Sequence, residues 1–453
     1  MNDITAFFAF QRYCLGYKGN MSKIVAGIDW QELYSFASKQ ALLGLCFEGI
    51  ERLGKEYPEE MKRNPIGREL LMTWMGKAQQ IRRQNMKVNA VAGKLFAMLR
   101  EDGMRCCILK GQGNALMYPN PYSRTPGDID VWVNASREQI TEYAQKHFEI
   151  GDDIRFHHLE TSIDGVPVEL HFFPGIMNNP IYNVRLQKWF KRNADLQCSN
   201  VVGLSDGAGD IAIPTTSFNV IYQLTHLYHH FFDEGIGMRQ IIDYFLVVND
   251  FSKNVFLNTD LSNHPVNFSN HPVPLSKEGS TFSPSPSSSG SGDVTAPSRC
   301  SEPLRSKDGG PSKVSPDCAG WDRLAIEEDN SAVTSSASTA LVVVQRELKY
   351  LGLWNFAGAV MYVLKEVLGL SEEKMIVPMD EKRGRLLLAE ILDGGNFGRH
   401  FTKYAGFTHQ SMGKKYFLKI WRNMHFVRSY PAEALSEPIF RTWHFFWRVK
   451  NKK

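Results

Sequence analysis

A chain of 453 residues is long enough for about two or three domains. With 43% hydrophobic and 22% charged residues it has ordinary globular composition, and a net charge of +4 permits anionic partners without demanding them. No uncharged apolar run reaches the length of a membrane span, seven cysteines without a CxxC pair argue against a disulfide framework or structural zinc site, and the lack of a basic-then-apolar leader predicts a cytoplasmic protein.

Apolar residues recur at helical spacing through Trp30–Arg52 and again through Leu70–Leu99, so residues 1–103 are predicted to form an N-terminal helical region. The character changes at Met104. MRCCILKG reads as a short buried strand closing on a glycine turn, with Cys106 and Cys107 as small core residues, and QGNALMYPN reads as a short helix ended before Pro119. In DIDVWV acidic and apolar side chains alternate as in a strand, and Ser136–His147 reads as a helix with Ser136 as its cap. IRFHHLETS and GVPVELHFF flank Asp164-Gly165, a strong hairpin signal. Residues 104–195 therefore make a compact unit of strands and helices. The stretch 196–250 turns helical, with Thr216 as a candidate cap and a break at Gly235 and Gly237. From 251 to 340 Ser, Pro, Asn and Gly dominate; so little apolar surface cannot repay the entropy of ordering, and a disordered insertion is expected. Helical patterning returns over 341–453, with a tight turn in GGNFG at 394–398.

Strand residues two apart share a face, so Asp128 and Asp130 project together. Such carboxylates repel each other unless a cation lies between them. Glu169 in VPVELHF is a third, with Val168 and Leu170 on its opposite face. If its strand lies beside that of Asp128, three hard oxygen ligands converge, a set that magnesium accepts while keeping water and substrate phosphates. The DxD pair alone is a weak signal; the order of strand, glycine turn, helix, Gly-Asp-Ile-Asp strand and hairpin with an embedded glutamate carries more.

Around this set, Arg124 lies on a proline-rimmed loop and either meets phosphate or pairs with a carboxylate of the site, while Gly127 is read as a tight turn into the strand. His171 shares the face of Glu169 and either positions it or a ligand, or is a satisfied half-buried histidine. His157 and His158 occupy neighbouring strand positions, so one of them faces the site; with scattered acids they fall short of a zinc set. His226 shares a helix face with His229 or His230 without forming a metal set. Arg239 and Asp243, four apart, can meet on one helix face. Asn396 either bonds a ligand or caps its turn. The short basic runs at 82–87 and 191–192 read as solvated surface, so a nucleic-acid partner is not favoured.

LKG at 109–111, YPNPYSRTPGDIDVWV at 118–133 and VELHF at 168–172, continued by GIGMRQIIDYFLVV at 235–248 and GGNFG, resemble the uncharacterised nucleotidyltransferase family of the polymerase-β-like superfamily, often encoded in bacterial genomes. The resemblance implies an α+β fold, a polymerase-β-like nucleotidyltransferase core with a small mixed sheet flanked by N- and C-terminal helical regions. It implies that Asp128, Asp130 and Glu169 hold Mg2+, or Mn2+ in its place. It also implies that a nucleoside triphosphate such as ATP is the substrate, its monophosphate passing to an acceptor with release of pyrophosphate. The superfamily's small turn pair is replaced here by Lys110-Gly111. Gly111 still admits backbone amides to a phosphate, and Lys110 either adds a point charge toward the triphosphate or is a surface lysine. Arg124, Gly127 and Arg239 complete the candidate nucleotide contacts, with Arg239 and Asp243 either lining the cleft or holding helices together. The acceptor is left open among a small metabolite, a sugar or sugar phosphate, a protein side chain and an RNA end. The alternatives are a non-catalytic nucleotide-binding module and a structural partner in a toxin–antitoxin or polysaccharide system.

Overall fold

The computed structural model describes residues 4–150, 155–260, 336–401 and 412–451. All of these residues belong to one compact unit; the second unit, Pro265–Thr334, lies outside the described residues, and with it most of the expected insertion.

The chain opens with α1 (Ile4–Cys14), α2 (Ser22–Gly27), α3 (Trp30–Lys39), α4 (Leu43–Glu56), α5 (Pro58–Arg63) and the long α6 (Arg68–Glu101). The helix expected across Trp30–Arg52 is thus two. Ala41 takes φ 57°, and the chain turns there after the Gln40 N–H has closed α3 on the Phe36 carbonyl. Gly93 inside α6 has a packing reason: a Cβ there would lie 2.2 Å from the Ala208 carbonyl oxygen.

The sheet follows: β1 (Cys106–Leu109), the short α7 (Gly111–Ala115), β2 (Ile129–Val133), α8 (Arg137–His147), β3 (His158–Ile163) and β4 (Val166–His171). Ser136 caps α8 reciprocally with Gln139, its hydroxyl accepting the Gln139 N–H at 3.2 Å. Asp164 and Gly165 both have positive φ, 51° and 72°, as a two-residue hairpin turn requires. The strand order is β1-β2-β4-β3; β1 and β3 run antiparallel to their neighbours, while β2 and β4 are parallel. Next come α9 (Pro180–Ser199), a two-stranded ribbon of β5 (Val201–Gly203) and β6 (Asp210–Ala212), α10 (Thr216–Asp233) and α11 (Met238–Asp260). The cap position of α10 is Thr215; Thr216 lies inside the first turn, where its hydroxyl donates to Asp250 at 2.8 Å. The remaining helices are α12 (Ser336–Tyr350), α13 (Trp354–Leu368), α14 (Glu381–Gly394), α15 (Met412–Met424) and α16 (Pro431–Asn451).

Alternation along the strands gives the sheet two buried faces. Cys106, Ile108, Ile129, Val131, Val168 and Leu170 pack with apolar side chains of α6 and α8. Cys107, Leu109 and Trp132 join the larger helical core instead, where the Trp132 ring stacks on Phe218 of α10 at 6.0 Å. The face that carries Trp132 also carries Asp130, so the polar end of β2 looks toward α10. The result is an α+β fold with a small mixed sheet between N- and C-terminal helices. Among the described residues no helix is long and apolar enough to cross a membrane.

Candidate functional site

The parallel pairing of β2 with β4 puts Asp130 opposite Glu169 and Trp132 opposite His171, while β3 places Glu160 and His158 beside the same two residues of β4. Carboxylates and imidazoles therefore form two adjoining rows on one face. Ligand atoms of Asp130, Glu169 and His171 all lie within 4.8 Å of one another. His171 Nε2 is 3.0 Å from Asp130 Oδ1 and 3.2 Å from Glu169 Oε2. Asp128 stands outside this tight set, just before β2, lining the mouth of the cleft with part of its surface open to solvent.

Lys110, just after β1, has φ 52° and ψ −131°, a combination that a side chain disfavours, and Gly111 follows at φ 39°. The bend carries the Lys110 ammonium to 3.0 Å from Asp130 Oδ1, with His226 Nε2 at 3.2 Å.

Charge is unevenly balanced in this cleft. The neighbouring Asp130 charge, with burial adding to it, pushes the Asp128 carboxyl up to about 6. Burial would also raise Asp130, but Lys110 and His171 outweigh it and hold that carboxyl well below the usual range. Burial works against a charged His171, yet its hydrogen bonds to Asp130 and Glu169 prevail and lift it to about 9. The same bond from His171 outweighs burial at Glu169 and lowers it. Three carboxylates thus share two nearby cations, and Asp128 is the one left over. The three carboxylates fit a hard divalent ion such as Mg2+ or Mn2+, while the protonated His171 holds two of them in place and offers no lone pair.

Both histidines of the 157–158 pair reach the cleft, contrary to the expectation that only one does. His157 lies in a bend before β3, where strand alternation does not apply, and its ring centroid is 5.7 Å from that of His171. His157, His158 and His171 also have ligand atoms within 4.8 Å of one another. His226, His229 and His230 line the opposite wall from α10, in a cavity of about 300 Å³. Burial, with the neighbouring His171 charge, lowers His158 to about 4, and burial likewise lowers His230 to about 3.

A smaller adjoining cavity of about 50 Å³ brings together Lys110, Gly111, Arg124, Gly127, Asp128, Asp130, Arg239 and Asp243. Here Arg239 and Asp243 line one cavity, but it is Arg124 that pairs with Asp243. Asp243 accepts two N–H groups from Arg124, at 2.8 Å each, and the Tyr118 hydroxyl at 2.7 Å. The Arg124 guanidinium outweighs burial and keeps Asp243 below its ordinary range. Arg239 donates instead to the Thr125 carbonyl at 3.0 Å, and its buried Nε has no hydrogen-bond partner. Gly127 is not required for a tight turn, since its φ is ordinary and a Cβ there would meet only Arg239 Nη1 at 3.9 Å. Asn396 keeps a buried Oδ1 without a partner, and its neighbour Phe397 lines both cavities.

This sheet and this register can be set beside known proteins. The family model described as an uncharacterised nucleotidyltransferase matches residues 26–262, just over half of the 453. The chain belongs to that family. It is thereby a nucleotidyltransferase-like protein of the polymerase-β-like superfamily, and the matched residues include β1 through α11 and every carboxylate described above. The loop bearing Phe397 comes from beyond the matched segment. Among solved structures the chain is similar to an antigenic nucleotidyltransferase-like protein from Paracoccidioides brasiliensis, with 17% identity over 36% of this chain and 75% of that one; at a TM-score of 0.25 this likeness adds nothing further. No curated protein matches the sequence.

Proposed function

We propose that this family member transfers a nucleoside monophosphate from a nucleoside triphosphate to an acceptor in a magnesium-dependent reaction. The observation that carries the reading is the pairing of Asp130 with Glu169 on adjacent parallel strands, with Asp128 two residues before Asp130 at the cleft mouth. Asp128, Asp130 and Glu169 would hold the ion. When bound, Mg2+ or Mn2+ supplies positive charge to the α-phosphate and the departing pyrophosphate and eases deprotonation of the acceptor. His171 and Lys110 hold the Asp130 and Glu169 carboxylates in place through contacts at 3.0–3.2 Å. Lys110 and Arg239, both in the smaller cavity, neutralise the triphosphate. The acceptor oxygen forms a bond to the α-phosphorus, the bond from that phosphorus to the bridging oxygen breaks, and pyrophosphate leaves; the acceptor proton passes to water or to a carboxylate of the site. Arg124 is committed to Asp243 and has a positioning role.

Incubating the protein with each of the four nucleoside triphosphates, Mg2+ and a small-molecule extract as acceptor source should release pyrophosphate and label one class of product. Glu169→Gln should slow this by roughly 100-fold or more, the scale on which a lost transition-state contact acts. Pyrophosphate release that is unchanged in Glu169→Gln, or absent with all four nucleotides, would defeat the proposal.

A further inference from the structure

Phe397 is held in a left-handed backbone conformation, φ 54° and ψ 33°, that residues with a side chain seldom adopt. The loop around it is clamped backbone to backbone. Gly395 and Gly398 have φ 63° and 61°, which suit glycine, and the junction between α10 and α11 presses against them. A Cβ on Gly398 would lie 1.8 Å from the Glu234 carbonyl oxygen, and one on Gly237 would lie 2.6 Å from Asn396 Cα. Such close approach leaves the loop little freedom, so the Phe397 ring is delivered to one place.

That place is the cleft. Phe397 lines both the small cavity and the larger one, as do Asp128, Asp130 and Lys110. The ring is half-buried and belongs to neither apolar core, so packing does not account for it. Two polar groups meet it: the Arg239 guanidinium sits 5.5 Å from the ring centroid, and His230 meets it edge-on at 5.3 Å. A rigid aromatic ring beside cations and a carboxylate cluster matches a ligand that joins a flat aromatic group to a polyanion.

We infer that Phe397 is the platform on which the base of the nucleoside triphosphate stacks, with Arg239 bridging ring and phosphates. This rests on the nucleotide reading above. Every base offers a π-face, so the platform contributes affinity for all four nucleotides rather than a choice among them.

The test compares a ligand with a base to one without. Binding of ATP, GTP and inorganic tripolyphosphate, each with Mg2+, is measured by titration calorimetry on the full chain and on Phe397→Trp, Phe397→Leu and Phe397→Ala, with melting curves to establish folding. Phe397→Ala should weaken ATP and GTP by roughly 5- to 100-fold, the range of one base–aromatic stack, and leave tripolyphosphate within about twofold. Phe397→Trp should retain nucleotide affinity and Phe397→Leu should fall between. Equal losses for nucleotide and tripolyphosphate, or no loss for either, would overturn the stacking role alone. A wild-type chain that binds none of the three would overturn the nucleotide reading together with it.

Discussion

Replacing Asp243 with asparagine keeps the shape of the side chain and deletes its charge. In the folded protein its carboxylate takes two N–H groups from Arg124 and the Tyr118 hydroxyl, and the Arg124 and Asp243 side chains are only 4% and 6% exposed. Asparagine supplies one oxygen acceptor, so one guanidinium N–H loses its partner and the buried Arg124 loses its principal counter-charge. Breaking a buried pair costs about 3–5 kcal/mol. Because one acceptor survives, the low end of that range, about 3 kcal/mol, is expected for Asp243→Asn. Urea unfolding followed by tryptophan fluorescence and circular dichroism reads this as a lower midpoint at unchanged slope. Replacing the pair together, Arg124→Met with Asp243→Leu, should recover part of the loss, since an apolar pair carries no charge to desolvate but leaves the Tyr118 hydroxyl without its acceptor. A loss below about 1 kcal/mol in Asp243→Asn would refute the reasoning, because exposed pairs contribute no more than that. Arg124 would then be free to meet phosphate.

Glu433 on α16 is buried and accepts the N–H groups of Asn178 and Asn179 at 2.6 and 3.2 Å, yet burial pushes its carboxyl up to about 7. The folded state therefore favours its neutral form, so its contribution to stability is complete below pH 4.5 and is lost as pH rises to about 7, on the order of 3 kcal/mol. Glu433→Gln should flatten the fall in unfolding free energy across that window, and an unchanged pH profile would contradict the assignment. Two glycines of α6 separate propensity from packing. Gly76→Ala, exposed with nothing within 4 Å of an added Cβ, should stabilise the protein by about 0.5–1 kcal/mol. Gly93→Ala drives a Cβ onto the Ala208 carbonyl and should cost about 1–3 kcal/mol in the same urea assay; the same sign for both would contradict the packing.

Local periodicity made β1, β2 and the β3–β4 hairpin legible, because each rests on interactions a few residues apart: alternating burial, a two-residue Asp-Gly turn, a serine cap. It also pointed Asp128 and Asp130 toward one cleft, although Asp128 itself lies one residue before β2. That Glu169 pairs with Asp130 was conditional on which strand lies beside β2, a question of topology that spacing does not answer. Contacts between distant segments were less accessible. Asp243 looks served by Arg239 four residues away, yet Arg124 and Tyr118, 119 and 125 residues distant, take its oxygens. His157 escaped because the alternation rule was applied one residue before the strand begins. The glycines of GGNFG announced a turn, but not that it is pressed against Gly237, since only the folded chain brings the two backbones together.

The central claim is that Asp128, Asp130 and Glu169 gather around the same divalent ions. Titration with Mn2+ followed by electron paramagnetic resonance, with Mg2+ as competitor, tests it on the wild type, Asp128→Asn with Asp130→Asn, and His157→Ala. Bound Mn2+ that Mg2+ displaces, lost in the folded double aspartate variant and retained in His157→Ala, is the result predicted. Ion binding that survives loss of both aspartates, or that disappears with His157 alone, would move the metal to the histidines and contradict the account.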